Sequence, residues 1–225
     1  MSQSSPSSPA TRLAAIHDSM SKAATLARRK PADAMLIAVS KTHPAEAIQP
    51  LIHAGQRHFG ENRVQEAQGK WPALKDAQEG IILHLIGQLQ SNKAEEAVAL
   101  FDFIHSVDRP SLVAALGNAQ AKLGKIPGCF IQVNIGDEPQ KGGCPTADLP
   151  SLIDQARAAG LRIEGLMCIP PADVEPAPYF ALLAKLARGH GLAGLSMGMS
   201  ADFETAIMTG ATHVRVGTAL FGERG

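Results

Sequence analysis

At 225 residues the chain can build one sizeable core, and a single α/β barrel accommodates that length as well as two small domains do. Lys plus Arg and Asp plus Glu balance at 21 each, so no whole-chain field argues for nucleic acid or a membrane as partner. Cys129, Cys144 and Cys168 are too few and too scattered for a disulfide framework and form no CxxC pair, which excludes a disulfide scaffold and fits a reducing, cytoplasmic setting.

The opening MSQSSPSSPAT is rich in serine and proline but has neither a basic nor an apolar region, so residues 1–10 read as a disordered tail rather than a secretory signal. No apolar run approaches the roughly 18 residues that suggest a membrane span. From Thr11 to Lys30 the positions Leu13, Ile16, Met20, Ala23, Ala24 and Ala27 recur at helical spacing, and Arg28, Arg29 and Lys30 suit the carboxyl end of the dipole.

Short apolar runs then alternate with alanine-rich helical patterns, the signature of βα units around a parallel sheet. Strands are predicted at Met35–Ser40, Arg57–Gly60, Ile81–Gly87, Phe103–Val107, Phe130–Ile135, Ile163–Cys168, Gly194–Met197 and His213–Val216. Helices are predicted over 44–55, 62–78, 91–100, 110–124, 147–160, 174–190 and 200–210. Almost no chain follows the last strand, so the amino-terminal helix is expected to cover the place of an eighth helix. The pattern predicts one (β/α)8 barrel over residues 11–225, with working residues at the carboxyl ends of the strands. An open doubly wound sheet is the rival, but no GxGxxG follows the first strand.

On a barrel, Lys41, Glu61, Asn62, Gln88, His105, Asn134, Met167, Ser196 and Thr218 fall near one rim. Lys41, in "LIAVSKTHPAEA", is expected to be partly desolvated there, which disfavours the ammonium and exposes a nucleophilic amine able to form an imine. A solvated lysine capping a strand is the plain alternative. In "LSMGMSADFETAIMTGATHVRVGTALFG", Ser196, Gly198 and Ser200 precede a helix with Ser200 and Glu204 near capping-box spacing, and Gly217 and Thr218 follow the eighth strand. These are the loops where such barrels commonly hold phosphate, although each alone reads as a tight turn. Arg215 adds a fixed positive charge beside them.

Other signals lead nowhere. "GDEPQKGG" lacks the Gly-Lys-Ser/Thr order of a phosphate loop and follows the fifth strand. The histidines form no HxH or HxxxH, so His84 and His105 read as core or rim residues rather than metal ligands. Met167, Met197 and Met199 read as packing the barrel mouth or a ligand ring rather than doing chemistry.

The stretches "AVSKTHPAEAI", "AGQRHFGENRVQEA", "HLIGQLQSNK", "IHSVDR", "IQVNIGDEPQKGG", "GLMCIPP" and "LSMGMSADFETAI…RVGTALFGER" run in order from residue 36 to 223. Through them the chain closely resembles the YggS/PROSC family of pyridoxal phosphate homeostasis proteins. The resemblance implies a barrel like the alanine racemase amino-terminal domain, with pyridoxal 5′-phosphate (PLP) held as an imine on Lys41. It further implies phosphate contacts from Ser200, Gly217 and Thr218, Arg215 near the pyridine nitrogen or the phosphate, and Asn62 lining the ring pocket. The family often has an aromatic residue where Arg63 stands and a residue other than glutamine at Gln88, which leaves the rim contacts open.

The racemase it resembles draws a second base, a tyrosine, from a further domain. Here the chain stops at Gly225, and its one tyrosine, Tyr179, falls in a proline-rich entry to an outer helix. An arginine at the ring nitrogen would also weaken the ring as an electron sink. The resemblance therefore implies PLP carriage and supply by a monomer, with PLP-dependent apo-enzymes as recipients, rather than turnover. A PLP-dependent, racemase-like enzyme acting on amino acids is the second reading. A Schiff-base aldolase barrel binding a sugar phosphate is the third.

Overall fold

The computed structural model describes residues 8–222. In chain order the elements are α1 (Pro9–Leu26), β1 (Met35–Val39), α2 (Ala45–His53), β2 (His58–Glu61), α3 (Val64–Gln68), α4 (Trp71–Ala77), β3 (Ile82–Leu85) and α5 (Ala94–Leu100). There follow β4 (Phe103–Val107), α6 (Pro110–Leu123), β5 (Gly128–Gln132), α7 (Leu149–Ala158), β6 (Arg162–Met167), α8 (Ala177–Gly189), β7 (Gly194–Ser196), α9 (Phe203–Met208), β8 (His213–Val216) and α10 (Thr218–Phe221). The strands pair in parallel, each with its sequence neighbour, and β1 pairs with β8 to close the barrel. Among the described residues no helix is long and apolar enough to cross a membrane.

The strands are apolar runs because each is covered on one side by helices and on the other by the barrel's own filling. Helix-facing residues such as Leu36, Ala38, Phe59, Leu83 and Ile104 are buried in one continuous core with the inner stripes of the helices. The filling itself departs from the Val, Ile and Leu that usually dominate such barrels. His84 stacks on Phe103 at 4.8 Å between centroids, His105 stacks on Phe130 at 4.4 Å, and His213 lies within 6.3 Å of all four rings. Strand β8 is not a neighbour of β3, β4 or β5, so these rings meet across the barrel interior.

Several expected boundaries move. The first helix begins at Pro9, capped by Ser8 Oγ accepting from Thr11 N at 3.1 Å, so residues 9 and 10 belong to the helix; residues 1–7 of the expected tail lie outside the described residues. It ends before the basic run, because Arg28 is left-handed (φ 55°). Arg29 instead donates to Ile207 O at 2.6 Å, and Arg12 Nε donates to Leu220 O at 2.6 Å, so α1 does close the gap beside α9 and α10. The segment 62–78 forms two helices, because Pro72 has no N–H to continue the ladder from Gln68. Strand β5 starts two residues before the expected Phe130 and ends at Gln132; Val133 N still donates to Met167 O at 2.8 Å, but on its other side Val133 bridges Cys144.

Candidate cofactor site

Strand β1 ends at Val39 and hands over to a turn in which Thr42 is left-handed (φ 64°). That turn carries Lys41 and is held from below. Lys70 Nζ donates to Ser40 O at 2.9 Å and His43 O at 3.0 Å, and pairs with Glu61 and Glu66 at 2.9 Å each. Glu61 is fully buried at the end of β2, where its Oε1 also accepts from Ser40 Oγ at 2.6 Å and Trp71 Nε1 at 2.9 Å. Burial pushes this carboxyl above its usual range, opposed by the bonds from Ser40, Trp71 and Lys70. The His43 ring stacks on Phe221 at 4.2 Å, tying the turn to α10.

Lys41 itself is exposed, which corrects the expected partial desolvation. Ser40 is the last buried residue of the run, and the turn carries residue 41 past the apolar part of the barrel.

Beside Lys41 lies a cavity of about 530 Å³ whose walls come from both halves of the chain. Lys41, Asn62, Ser200, Arg215, Gly217 and Thr218 all line it, so the structure brings together the whole set implied by the resemblance. Ser200 Oγ accepts from Gly217 N at 3.3 Å, which joins the two small-residue turns into one wall. Arg215 is 4 % exposed, with Nη1 donating to Ser196 O at 3.1 Å and Oγ at 2.9 Å and Nη2 to Cys168 O at 2.9 Å. Burial lowers its pKa from the ordinary arginine value, opposed by Cys168 and Asp202. Val39, Ile86, Ile169 and Met199 supply apolar surface between the polar walls.

The capping arrangement expected of Ser200 and Glu204 does not form. Helix α9 starts at Phe203 with Asp202 at its N-cap, and Asp202 Oδ1 takes the Met199 N–H instead. Other expected rim residues fall elsewhere because strand side chains alternate between faces. Glu61, His105, Met167 and Ser196 are buried at 0–1 % exposure and do not line the cavity, so His105 is an interior residue and not a rim base. Asn134 turns into its own loop, bonding Glu138 O at 2.8 Å. Of the two departures from the family pattern, Arg63 is exposed on a neighbouring pocket, and Gln88 lines the cavity with Nε2 on Gln132 Oε1 at 2.7 Å. Tyr179 sits in the first turn of α8, away from the cavity.

Sequence reasoning missed Gly87. A Cβ there would meet Asn62 O at 2.3 Å and Asn62 Cα at 2.7 Å, so only glycine lets the chain after β3 pass the Asn62 backbone. The signal is a glycine closing the predicted strand Ile81–Gly87, in "LIGQ".

The donor set fits PLP: an accessible amine, a phosphate-sized wall of small residues with N–H and O–H donors, apolar faces for a flat ring, and one arginine. Residues 12–225 match the model of the alanine racemase amino-terminal domain. The pyridoxal phosphate homeostasis protein of Pseudomonas aeruginosa is 43 % identical over 222 residues, covering 96 % of this chain and 95 % of that protein. The structure of PipY from Synechococcus elongatus PCC7942 with PLP bound superposes with a TM-score of 0.83 at 42 % identity, covering 95 % of this chain and all of that one. Alanine racemase of Clostridium difficile 630 shares the fold at a TM-score of 0.67 and 15 % identity, with 57 % of its chain covered. The chain therefore belongs to the pyridoxal phosphate homeostasis protein family, built on the alanine racemase amino-terminal domain.

Proposed function

We propose that this protein binds PLP covalently through Lys41 and serves PLP homeostasis, holding and supplying the cofactor rather than turning over amino acids. The observation that carries the reading is one cavity uniting Lys41 with Ser200, Gly217, Thr218 and Arg215. PLP supplies an aldehyde that attaches reversibly to an amine. Lys41 Nζ offers that amine from a turn fixed by Lys70, the two small-residue turns receive the phosphate, and Asn62 and the apolar walls orient the ring. The exposure of Lys41 suits hand-over to apo-enzymes in the cytoplasm, with the protein acting as a monomer.

The test is an absorption spectrum before and after borohydride, followed by peptide mapping. The reduced adduct is expected on Lys41, and Lys41→Ala is expected to abolish trapping while the phosphate wall retains some PLP. An adduct confined to another lysine, such as Lys93 or Lys141, refutes the assignment.

A racemase-like enzyme is the competing reading. Racemisation removes an α proton on one face and returns one on the other, with a base within reach on each side. Among the described residues, the ionisable side chains lining the cavity are Lys41 and Arg215, and no carboxylate, imidazole, thiol or phenol joins them. That favours supply over turnover. Incubating the holo-protein with L-alanine in deuterium oxide is expected to give no D-alanine above free PLP at equal concentration. Lys41-dependent D-alanine at several turnovers per second reverses the conclusion.

A further inference from the structure

A chain of hydrogen bonds runs down the barrel interior from the cofactor cavity to its other end. Arg215 Nη1 meets Ser196 Oγ at 2.9 Å, Ser196 Oγ meets His105 Nδ1 at 2.8 Å, His105 Nε2 meets His84 Nδ1 at 2.9 Å, and His84 Nε2 meets His58 Nδ1 at 3.0 Å. It crosses five strands. Ser196, His84 and His105 are fully buried, while His58, at the start of β2, is partly exposed.

The guanidinium at one end, together with the need of each buried proton for an acceptor, sets the direction of the chain. A guanidinium donates and cannot accept, so Ser196 Oγ accepts from Arg215. Were Ser196 Oγ to accept from His105 Nδ1 as well, its own buried proton would have no acceptor among the described hydrogen bonds, so that proton goes to His105 Nδ1. His105, accepting at Nδ1, carries its own proton on Nε2 and donates to His84 Nδ1. By the same step His84 is the Nε2–H tautomer and donates to His58 Nδ1. Burial keeps both inner rings neutral, which the scheme requires.

We propose that His105 and His84 are positioning residues for Arg215, acting through Ser196: a one-way hydrogen-bonded chain that locks the guanidinium at the wall of the cofactor cavity. With His105 accepting its proton, Ser196 keeps its lone pairs for Arg215. With His84 accepting from His105, the His105 ring is held in the tautomer that can do so. His58 closes the series, facing His84 and His213 and within the field of Asp102, itself paired with Lys75 at 2.9 Å. A proton added to His58 Nδ1 would set two donors face to face and oppose the whole arrangement.

The role in cofactor binding rests on the PLP reading above, so the test has arms that do not need PLP. Long-range nitrogen–proton NMR of the full chain, without and with PLP, is expected to find His84 and His105 as Nε2–H tautomers. An Nδ1–H tautomer at either ring overturns the proposal. The Arg215 Nη signals are expected to be separately resolved in the native protein through hindered rotation. They should average in His105→Phe, which keeps the stack on Phe130. His105→Phe and Ser196→Ala are each expected to weaken PLP binding three- to tenfold and shift the absorption band of bound PLP, and the double variant should be no worse than either. A His105→Phe protein that loses thermal stability but keeps resolved Arg215 signals, PLP affinity and spectrum would reduce His105 to a packing residue and overturn the proposal. Should that variant not fold, the native tautomers decide alone. Failure to bind PLP alongside the expected tautomers and Arg215 signals would remove the PLP reading while leaving the chain in place.

Discussion

Filling a barrel with neutral imidazoles makes its stability steep in acid. Burial lowers the pKa of His213 from 6.5 to about 4 and holds His84 and His105 well below the ordinary histidine range. In this window the unfolded chain binds these protons and the folded one does not, so stability rises with pH and is lost as pH falls from about 6.5. One pKa unit is worth about 1.4 kcal/mol, so His213 alone accounts for about 3 kcal/mol by pH 4. Three such protons give a slope of about 4 kcal/mol per pH unit. Glu61, whose carboxyl is held above its usual range by burial, works in the opposite sense for at most one proton. The net slope is therefore about 3–4 kcal/mol per pH unit, large against the roughly 5–15 kcal/mol that holds a typical domain together. Urea unfolding at pH 7.5, 6.5, 5.5 and 4.5 can be followed by Trp71, the one tryptophan, which is fully buried. The unfolding free energy is expected to fall steeply below pH 6, and His213→Phe should flatten the slope by about 1.4 kcal/mol per pH unit. Equal stability at pH 7 and pH 5 would refute the neutral histidine core.

Gly87→Ala is expected to displace Asn62 and weaken PLP retention at least tenfold in equilibrium dialysis, since the new Cβ meets backbone at 2.3 Å rather than a movable side chain. Thr218→Ala should weaken retention by up to tenfold, about one neutral hydrogen bond of roughly 1 kcal/mol, and pyridoxal lacking the phosphate should not feel the change. Lys70→Met leaves Glu61 without its cation, with Oε2 already lacking a partner, so a loss of about 3–5 kcal/mol is expected in urea unfolding. Adding Glu61→Gln should recover part of that loss.

The eight strands were legible because a strand buried on both faces reads as a continuous apolar run, and the glycines and prolines between them mark turns. Boundaries failed where one residue outweighs a pattern: Pro72 splits a continuous helical periodicity, and Arg28 stops α1 ahead of its basic run. The apolar "FIQVNI" drew the fifth strand too far forward, since sequence cannot tell that Val133 bridges a loop at Cys144. At the site, Lys41 and the two small-residue turns could be read because each follows a strand in a fixed place. The histidine chain could not. Its members sit on separate strands, 26 and 21 residues apart, and they meet only through barrel register, which no local spacing encodes. For the same reason the strand pattern places His105 near the rim, whereas it points inward.

The hydrogen bond from Arg12 to Leu220 spans 208 residues of sequence, and β1 pairs directly with β8. Contacts of such range are slow to form, because the loop between them must close before they contribute. During synthesis this has a concrete meaning. The first strand can pair with β2 early, but its other edge waits for β8 and the first helix waits for α9 and α10, so the emerging barrel keeps an open seam with unpaired backbone and a partly uncovered apolar helix face. A nascent chain arrested before Val216 is thus expected to stay protease-sensitive and bound by chaperones, and release of the final residues should convert it to the resistant form in one cooperative step.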